Sequence, residues 1–381
     1  MTTQAIETHP LPHITMAQAR AMQFRYVDII ARHFTGTEIL QSGDYGVVPP
    51  LGRPRYTAKV EAVLAEFFET EDAALVRGAG SGALRAVCMG VLQPGSRVLV
   101  HAAPVYATTS VTFRAMGIEL VRADFNDLAR VTTTLREQPV DAVYVQHSRQ
   151  LLEDRYDVAE LIRTCRAEAA AAPILVDDNY TVFHSPRIGV QLGADLSAFS
   201  LFKILGPIGI GCVVGRAALI RRLRTDAYSG GSQVQGPEAM DALRSIVFAP
   251  VQHALGAEVV DEIVRRLNAG EVPGVVRAYV GNHQERNVML ELERPIAPLV
   301  VQAADALGAS PYPVGSASRF EVGLLIYRLS RAMIEADPSL AERFLRVNPF
   351  RAGADTVMRI LKEAIATASA RATTARGGAG A

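Results

Sequence analysis

Two strand-like apolar runs that each end in a reactive polar tip constrain this chain more than anything else in it. Ile174-Leu175-Val176 runs into Asp177, Asp178, Asn179 and Tyr180, and Leu196 to Leu201 runs into Lys203 and a Gly/Pro-rich turn, Gly206 to Gly211. Upstream, short apolar runs alternate with segments of helical periodicity. Such alternation predicts an α/β fold with a mainly parallel sheet and right-handed crossovers. In open sheets of that kind ligands bind beyond the carboxyl ends of the strands, so both polar tips face one crevice.

A lysine and a carboxylate sharing a crevice suit pyridoxal phosphate (PLP). The amine forms a Schiff base with the aldehyde, and the acid keeps the pyridine nitrogen protonated so that the ring withdraws electrons from a substrate carbanion. Plainer roles compete: Asp-Asp-Asn is common in turns, and lysines are usually exposed. Phe202, Ile204, Leu205 and Ile208 make the setting of Lys203 apolar, however. Burial there is expected to lower its pKa and leave more free amine.

A second anion-binding element lies upstream. A strand from Ala73 to Val76 leads through Arg77-Gly78-Ala79-Gly80-Ser81-Gly82-Ala83 into a helix, a layout whose free N–H groups cradle phosphate. Gly78-x-Gly80-x-x-Ala83 also matches a dinucleotide fingerprint, which expects an acid about 20 residues on, at the next strand's end. That strand, Arg97 to Val100, ends in His101 with no acid beside it. The nicotinamide reading fails there, and it gives Lys203 no task.

The remaining elements follow from periodicity. Thr15 to Gln18 reads as a capping box opening a helix with Met16, Ala19, Met22, Val27, Ile30 and Phe34 on its apolar side. Helices are expected at Thr57 to Phe68, Val158 to Ala171, Arg216 to Arg224, Ala239 to Leu267 and Asp355 to Ala366. Further strands are expected at Ile118 to Arg122, Ala142 to Gln146, Ile210 to Val214 (antiparallel), Val288 to Leu292 and Val322 to Leu329.

In order, these motifs resemble the fold-type I PLP enzymes. Ser200-Leu201-Phe202-Lys203 looks like their Ser-x-x-Lys, which implies that Ser200 contacts the phosphate and Lys203 carries the cofactor. Asp177 to Tyr180 resembles the Asp-x-x-aromatic turn of the cystathionine γ-synthase, aluminium-resistance and class V aminotransferase groups. That likeness makes Asp177, not Asp178, the pyridine partner and puts Tyr180 at the cofactor. Gly80-Ser81-Gly82 looks like the phosphate cradle. Tyr106 sits in a segment similar to Tyr-Gly-Gly-Thr of the cystathionine group and would stack on the ring. Gln146 or His147 occupies the position that contacts the phenolic oxygen in relatives. Phe344 to Arg351 looks like the Arg-x-x-x-Gly stretch that clamps a substrate carboxylate, with Arg346 as the clamp and Arg351 as its structural or backup partner. The Tyr-x-Arg with which the cystathionine group reaches a neighbouring subunit's phosphate is not present as such. Tyr45, Arg53, Arg55 and Ser232 are the candidates for that role. Over nearly its whole length the chain looks closest to the YhfS-like proteins.

The resemblance implies a large PLP-binding domain (60–250) on a seven-stranded, mainly parallel sheet and a small C-terminal α+β domain (251–370). An N-terminal interface segment (1–59) and a disordered tail (371–381) complete the expected chain. It implies a homodimer acting on a small amino-group substrate, first as an aminotransferase, second as a carbon–sulfur lyase, and third as an inactive PLP-binding relative. Charges balance at 39 against 39, which gives no electrostatic case for nucleic acid or a membrane surface. Cys88, Cys165 and Cys212 lack the spacing of a disulfide framework or a zinc site, and no metal is expected. No apolar run reaches the ~18 residues of a membrane span, and no signal-peptide layout opens the chain, so a cytoplasmic location is expected.

Overall fold

Apolar runs short enough to be strands, separated by amphipathic helices, build the larger sheet. Its strands are β1 (Asp72–Arg77), β2 (Arg97–His101), β3 (Glu119–Ala123), β4 (Ala142–Gln146), β5 (Ile174–Asp177), β6 (Leu196–Ser200) and β7 (Ile210–Gly215). They lie in the order β1-β7-β6-β5-β4-β2-β3. The β7 strand runs antiparallel to both neighbours, while β2–β3, β2–β4, β4–β5 and β5–β6 pair in parallel. Alternation along each strand feeds two cores: Val98 and Val100 pack on one face of the sheet and Leu99 on the other. β5 and β6 are buried at every position, as strands covered on both faces must be.

The computed structural model describes residues 7–281, 285–314 and 317–377. It divides them into two compact units, one of residues 14–149 and 155–251 and one drawn from 1–13, 150–154 and 252–381. Helices of the first unit are α1 (Met16–His33), α2 (Gly36–Ile39), α3 (Arg55–Phe67), α4 (Ala79–Val91), α5 (Ala107–Ala115), α6 (Leu128–Glu137), α7 (Val158–Glu168), α8 (Ala217–Asp226) and α9 (Gly236–Ile246). The capping box at α1 is complete, with Gln18 N–H donating to Thr15 Oγ1 at 3.2 Å and Thr15 N–H to Gln18 Oε1 at 2.8 Å. The helix turns Tyr26 and Ile29 into the core, whereas Val27, expected there, is exposed. The helix expected from Ala239 to Leu267 is interrupted at Val247 and Phe248, so that α9 is followed by a separate α10 (Ala249–Asn268).

The second unit pairs β8 (Val275–Val280), β9 (Val288–Leu292), β10 (Leu325–Tyr327) and β11 (Phe344–Asn348) in an antiparallel sheet of order β10-β11-β9-β8. Two strands here have no counterpart among the expected elements, β8 and β11, and the one expected from Val322 to Leu329 is only Leu325–Tyr327. The helices α11 (Ala297–Asp305), α12 (Arg331–Ala336) and α13 (Ala354–Gly377) complete it. The α13 helix corrects the expected disordered tail as far as Gly377, since its alanine-rich sequence is a strong helix former. The tail's last residues, 378–381, lie outside the described residues. Among the described residues, no helix is long and apolar enough to cross a membrane.

Candidate active site

The glycine turn after β1 makes the first wall. Gly78, at φ +96°, turns the chain into α4, and no side chain among the described residues caps that helix. The carbonyl of Gly209, in the turn after the lysine, accepts the N–H groups of Gly78 at 2.7 Å and Ala79 at 3.0 Å. The N–H groups of Gly80 and Ser81 follow in the first turn, where a helix has no internal partner for them and where its dipole favours an anion. The glycines are required by close approach. A Cβ on Gly80 would lie 2.2 Å from Asn179 Oδ1, and one on Gly82 would lie 2.0 Å from the Arg77 carbonyl. The Ser81 hydroxyl bonds that of Thr108 at 2.9 Å, joining the cradle to the start of α5.

The tip of β5 makes the second wall. Register puts Asp177 beside Gln146 on β4 and Ala198 on β6. Its Oδ1 accepts the Asn179 N–H at 3.0 Å and Asn179 Nδ2 at 2.8 Å, and its Oδ2 accepts the Tyr144 hydroxyl at 3.0 Å. Burial pushes this carboxyl up, against the pull of the Asn179 bonds, Lys203 and Tyr144. Asp178 is engaged differently. Its Oδ1 accepts the Thr181 hydroxyl at 2.8 Å and meets His147 Nδ1 at 2.7 Å, and its Oδ2 accepts the Gly189 N–H at 3.0 Å. It braces the loop after β5. His147 is thereby tied to Asp178 through Nδ1, and the Gln146 carbonyl accepts the Tyr156 hydroxyl at 2.6 Å.

The tip of β6 closes the set. Ser200 N–H donates to Asn179 Oδ1 at 3.0 Å, and the buried Ser200 hydroxyl has no protein partner among the described residues. Half-buried Lys203 places Nζ 3.3 Å from the centre of the Tyr180 ring. Tyr180 shares a hydrogen bond with Tyr106, at the start of α5. The Tyr106 hydroxyl is pushed up to about 12, first by Tyr180 and then by burial, while Lys203 pulls it down. Thus Gly80, Ser81, Gly82, Tyr106, Gln146, His147, Asp177, Tyr180, Ser200 and Lys203 all lie at the carboxyl ends of β1, β2, β4, β5 and β6 or in the segments that follow them.

Asn179 and Tyr144 are the residues that sequence reasoning missed. Asn179 links Asp177, Ser200 and Gly80 in one contact set, yet in sequence it is only the third residue of a turn-like Asp-Asp-Asn. Tyr144, two positions before Gln146 in an apolar strand, reads as core. The strand's alternation does place it on the same face as Gln146, which is the one signal available. Arg53 is not at hand for a phosphate: its Nε meets buried Glu61 at 2.5 Å and its Nη1 donates to the Leu51 carbonyl at 3.1 Å. Tyr45, Arg55 and Ser232 are exposed. In the other unit, Arg346 lies on β11 with its guanidinium 4.2 Å from the Tyr327 ring centre and its Nε donating to the Arg328 carbonyl at 3.1 Å. Arg351 donates to the carbonyls of Ser318 and Glu321, so it holds that loop.

An aminotransferase class-V family model matches residues 55–248, and the model of the YhfS-like C-terminal domain matches residues 261–361. YhfS of Escherichia coli (strain K12) is 47% identical over 362 residues, which cover 95% of this chain and 100% of that protein. A crystal structure of the pyridoxal-5′-phosphate-dependent protein YhfS from E. coli superposes with a TM-score of 0.93, covering 94% of this chain and 99% of that one. A cystathionine γ-synthase from Xanthomonas oryzae pv. oryzae, 19% identical, superposes at 0.70 over 92% of this chain and 98% of its own, a likeness of fold. The seven-stranded sheet, its strand-tip site and these matches define a fold-type I chain of the class-V aminotransferase kind. Within that class, the chain belongs to the YhfS-like family.

Proposed function

We propose that this chain is an aminotransferase acting on an amino acid or related amine through Lys203. Pyridoxal phosphate is its cofactor, and the donor set fits that group. The observation that carries the fit is the buried Ser200 hydroxyl, without a partner among the described residues, on a residue that Asn179 joins to the start of α4 at Gly80. Gly80, Ser81, Gly82 and Ser200 are the phosphate ligands, and Lys203 Nζ is the covalent anchor. When bound, the cofactor supplies an electron-withdrawing ring that weakens bonds at the substrate's Cα.

The protein's own residues then divide the work. Asp177 faces the ring nitrogen, and a cationic nitrogen there draws down the carboxyl that burial alone pushes up. Asn179 and Tyr144 fix its two oxygens. Tyr106 stacks its face on the ring, with Tyr180 beside it, while Gln146 and His147 line the side of the phenolic oxygen. Lys203 Nζ would take and return the Cα proton as general base. Arg346 receives the substrate carboxylate, for which a guanidinium fork is matched in shape, and Arg351 supports the loop at 318–321. The active form is a homodimer, with exposed Leu40, Tyr45, Leu51 and Tyr228 supporting a face for the second copy. Tyr45, Arg55 and Ser232 are then the groups that extend towards the neighbour's phosphate.

The visible spectrum with a panel of amino acids tests this. A band that converts to the pyridoxamine form without ammonia release supports transamination. Ammonia and a keto acid released with the band intact would replace it by the carbon–sulfur lyase reading. Lys203→Ala is expected to abolish the lysine-linked absorbance while leaving far-ultraviolet circular dichroism unchanged, and a retained band would remove Lys203 from its role.

A further inference from the structure

Tyr180 carries a cost that anchoring a cofactor does not explain. Its backbone lies at φ +73°, in the left-handed region that bulky side chains avoid. Strain of that kind persists only where the surroundings over-determine it, and it clusters at functional positions. Here the Asp177–Asn179 bonds pin the turn just before it, and the hydrogen bond with Tyr106 pins the ring. The outcome is an aromatic face under an amine. The 3.3 Å from Lys203 Nζ to the ring centre is well inside the ~6 Å reach of a cation–π contact.

We infer that Tyr180 sets the protonation of Lys203, its π face holding the ammonium form of Nζ whenever the lysine is not joined to the cofactor. This rests on Lys203 being the cofactor lysine. The ring face attracts a cation and gives nothing comparable to a neutral amine, so it extends the charged form to higher pH. Burial acts the other way. Besides Tyr180, the titratable groups described against Nζ are the Asp177 carboxylate at the tip of β5, whose charge favours the ammonium, and the Tyr106 phenol at the start of α5. Tyr180 is then the adjustable part of the set. A lysine that must pick up the Cα proton and keep it until the next step gains from a face that favours the proton on Nζ.

The test uses the full chain freed of cofactor and measures how fast it recombines with PLP across pH, since only the free amine reacts. Removing the face should let Nζ lose its proton earlier. Tyr180→Leu and Tyr180→Asn are therefore expected to move the midpoint of the rate profile down by about one pH unit, while Tyr180→Phe, which keeps the face, stays at the wild-type midpoint. Asparagine tolerates the left-handed backbone, so Tyr180→Asn separates the lost face from any folding defect. An unmoved midpoint in Tyr180→Asn overturns the inference, as does an equal shift in Tyr180→Phe, which would assign the effect to the hydroxyl. Wild-type protein that takes up PLP at another residue would instead overturn the assignment of Lys203 itself.

Discussion

Adjacent aspartates, Asp177 and Asp178, divide between chemistry and support because a strand tip turns successive side chains opposite ways. Asp177 keeps the register of β5 and stands at its carboxyl end, while Asp178 bonds back to Thr181, Gly189 and His147. Asp177→Asn keeps the shape but loses the charge opposite the ring nitrogen, so kcat should fall roughly a hundredfold or more while PLP stays bound. Asp178→Asn leaves one acceptor oxygen where Thr181, His147 and the Gly189 N–H now share two. Its expected cost is stability, about 1–3 kcal/mol in urea unfolding, with a small change in kcat. The reverse order of effects would exchange the two roles. Asp177 and Lys203 were legible from sequence because each closes an apolar run. Asn179 and Tyr144 were not, because what they do consists of bonds of 2.8 and 3.0 Å to a carboxylate that only the folded chain brings to them.

At the scale of elements, the site depends on how closely α4 approaches the turn after β5. Gly80→Ala would be tolerated by the helix itself, since alanine is its best former. Its Cβ would nevertheless meet Asn179, and Asn179 also holds Asp177 and the Ser200 N–H. The expected result is PLP binding weakened roughly tenfold or more, alongside a stability loss of about 1–3 kcal/mol. Gly90→Ala, on the same helix, would crowd the methyl end of Leu223 at 2.6 Å, with the rest of that residue at ordinary contact distance, and serves as the control. Equal PLP affinity in both variants would show that the close approach at Gly80 does not position the site. The elements around this helix were legible because the parallel strands are nearly unbroken apolar runs. The α6 helix was not: Leu128 to Glu137 is rich in threonine, which suits strands as well as helices. β11 was hidden for another reason. Its arginine and asparagine are buried, and a strand buried at every position shows no alternation for a sequence pattern to register.

For the molecule as a whole, a buried histidine couples the folding of the C-terminal unit to pH. His253, on α10, is buried, and its pKa is lowered to about 3, first by burial and then by His13 and Arg351. An unfolded histidine takes its proton near pH 6.5, so between that value and about 3 the unfolded chain binds the extra proton. The stability owed to the neutral ring is complete above pH 6.5 and is lost as pH falls towards 3. At 1.36 kcal/mol per unit, the full loss is of order 3–5 kcal/mol. His253→Gln cannot take that proton. It should be less stable than wild type at neutral pH, because the imidazole's packing is gone, and the gap should narrow as pH falls, since only the wild type pays the protonation cost. Other buried acids, Asp177 and Glu61 among them, titrate alike in both proteins and cancel in the difference. Urea unfolding of the pair at pH 7, 5.5 and 4.5 reads this directly. A gap that stays constant across that range would mean that His253 keeps one protonation state in folded and unfolded protein alike.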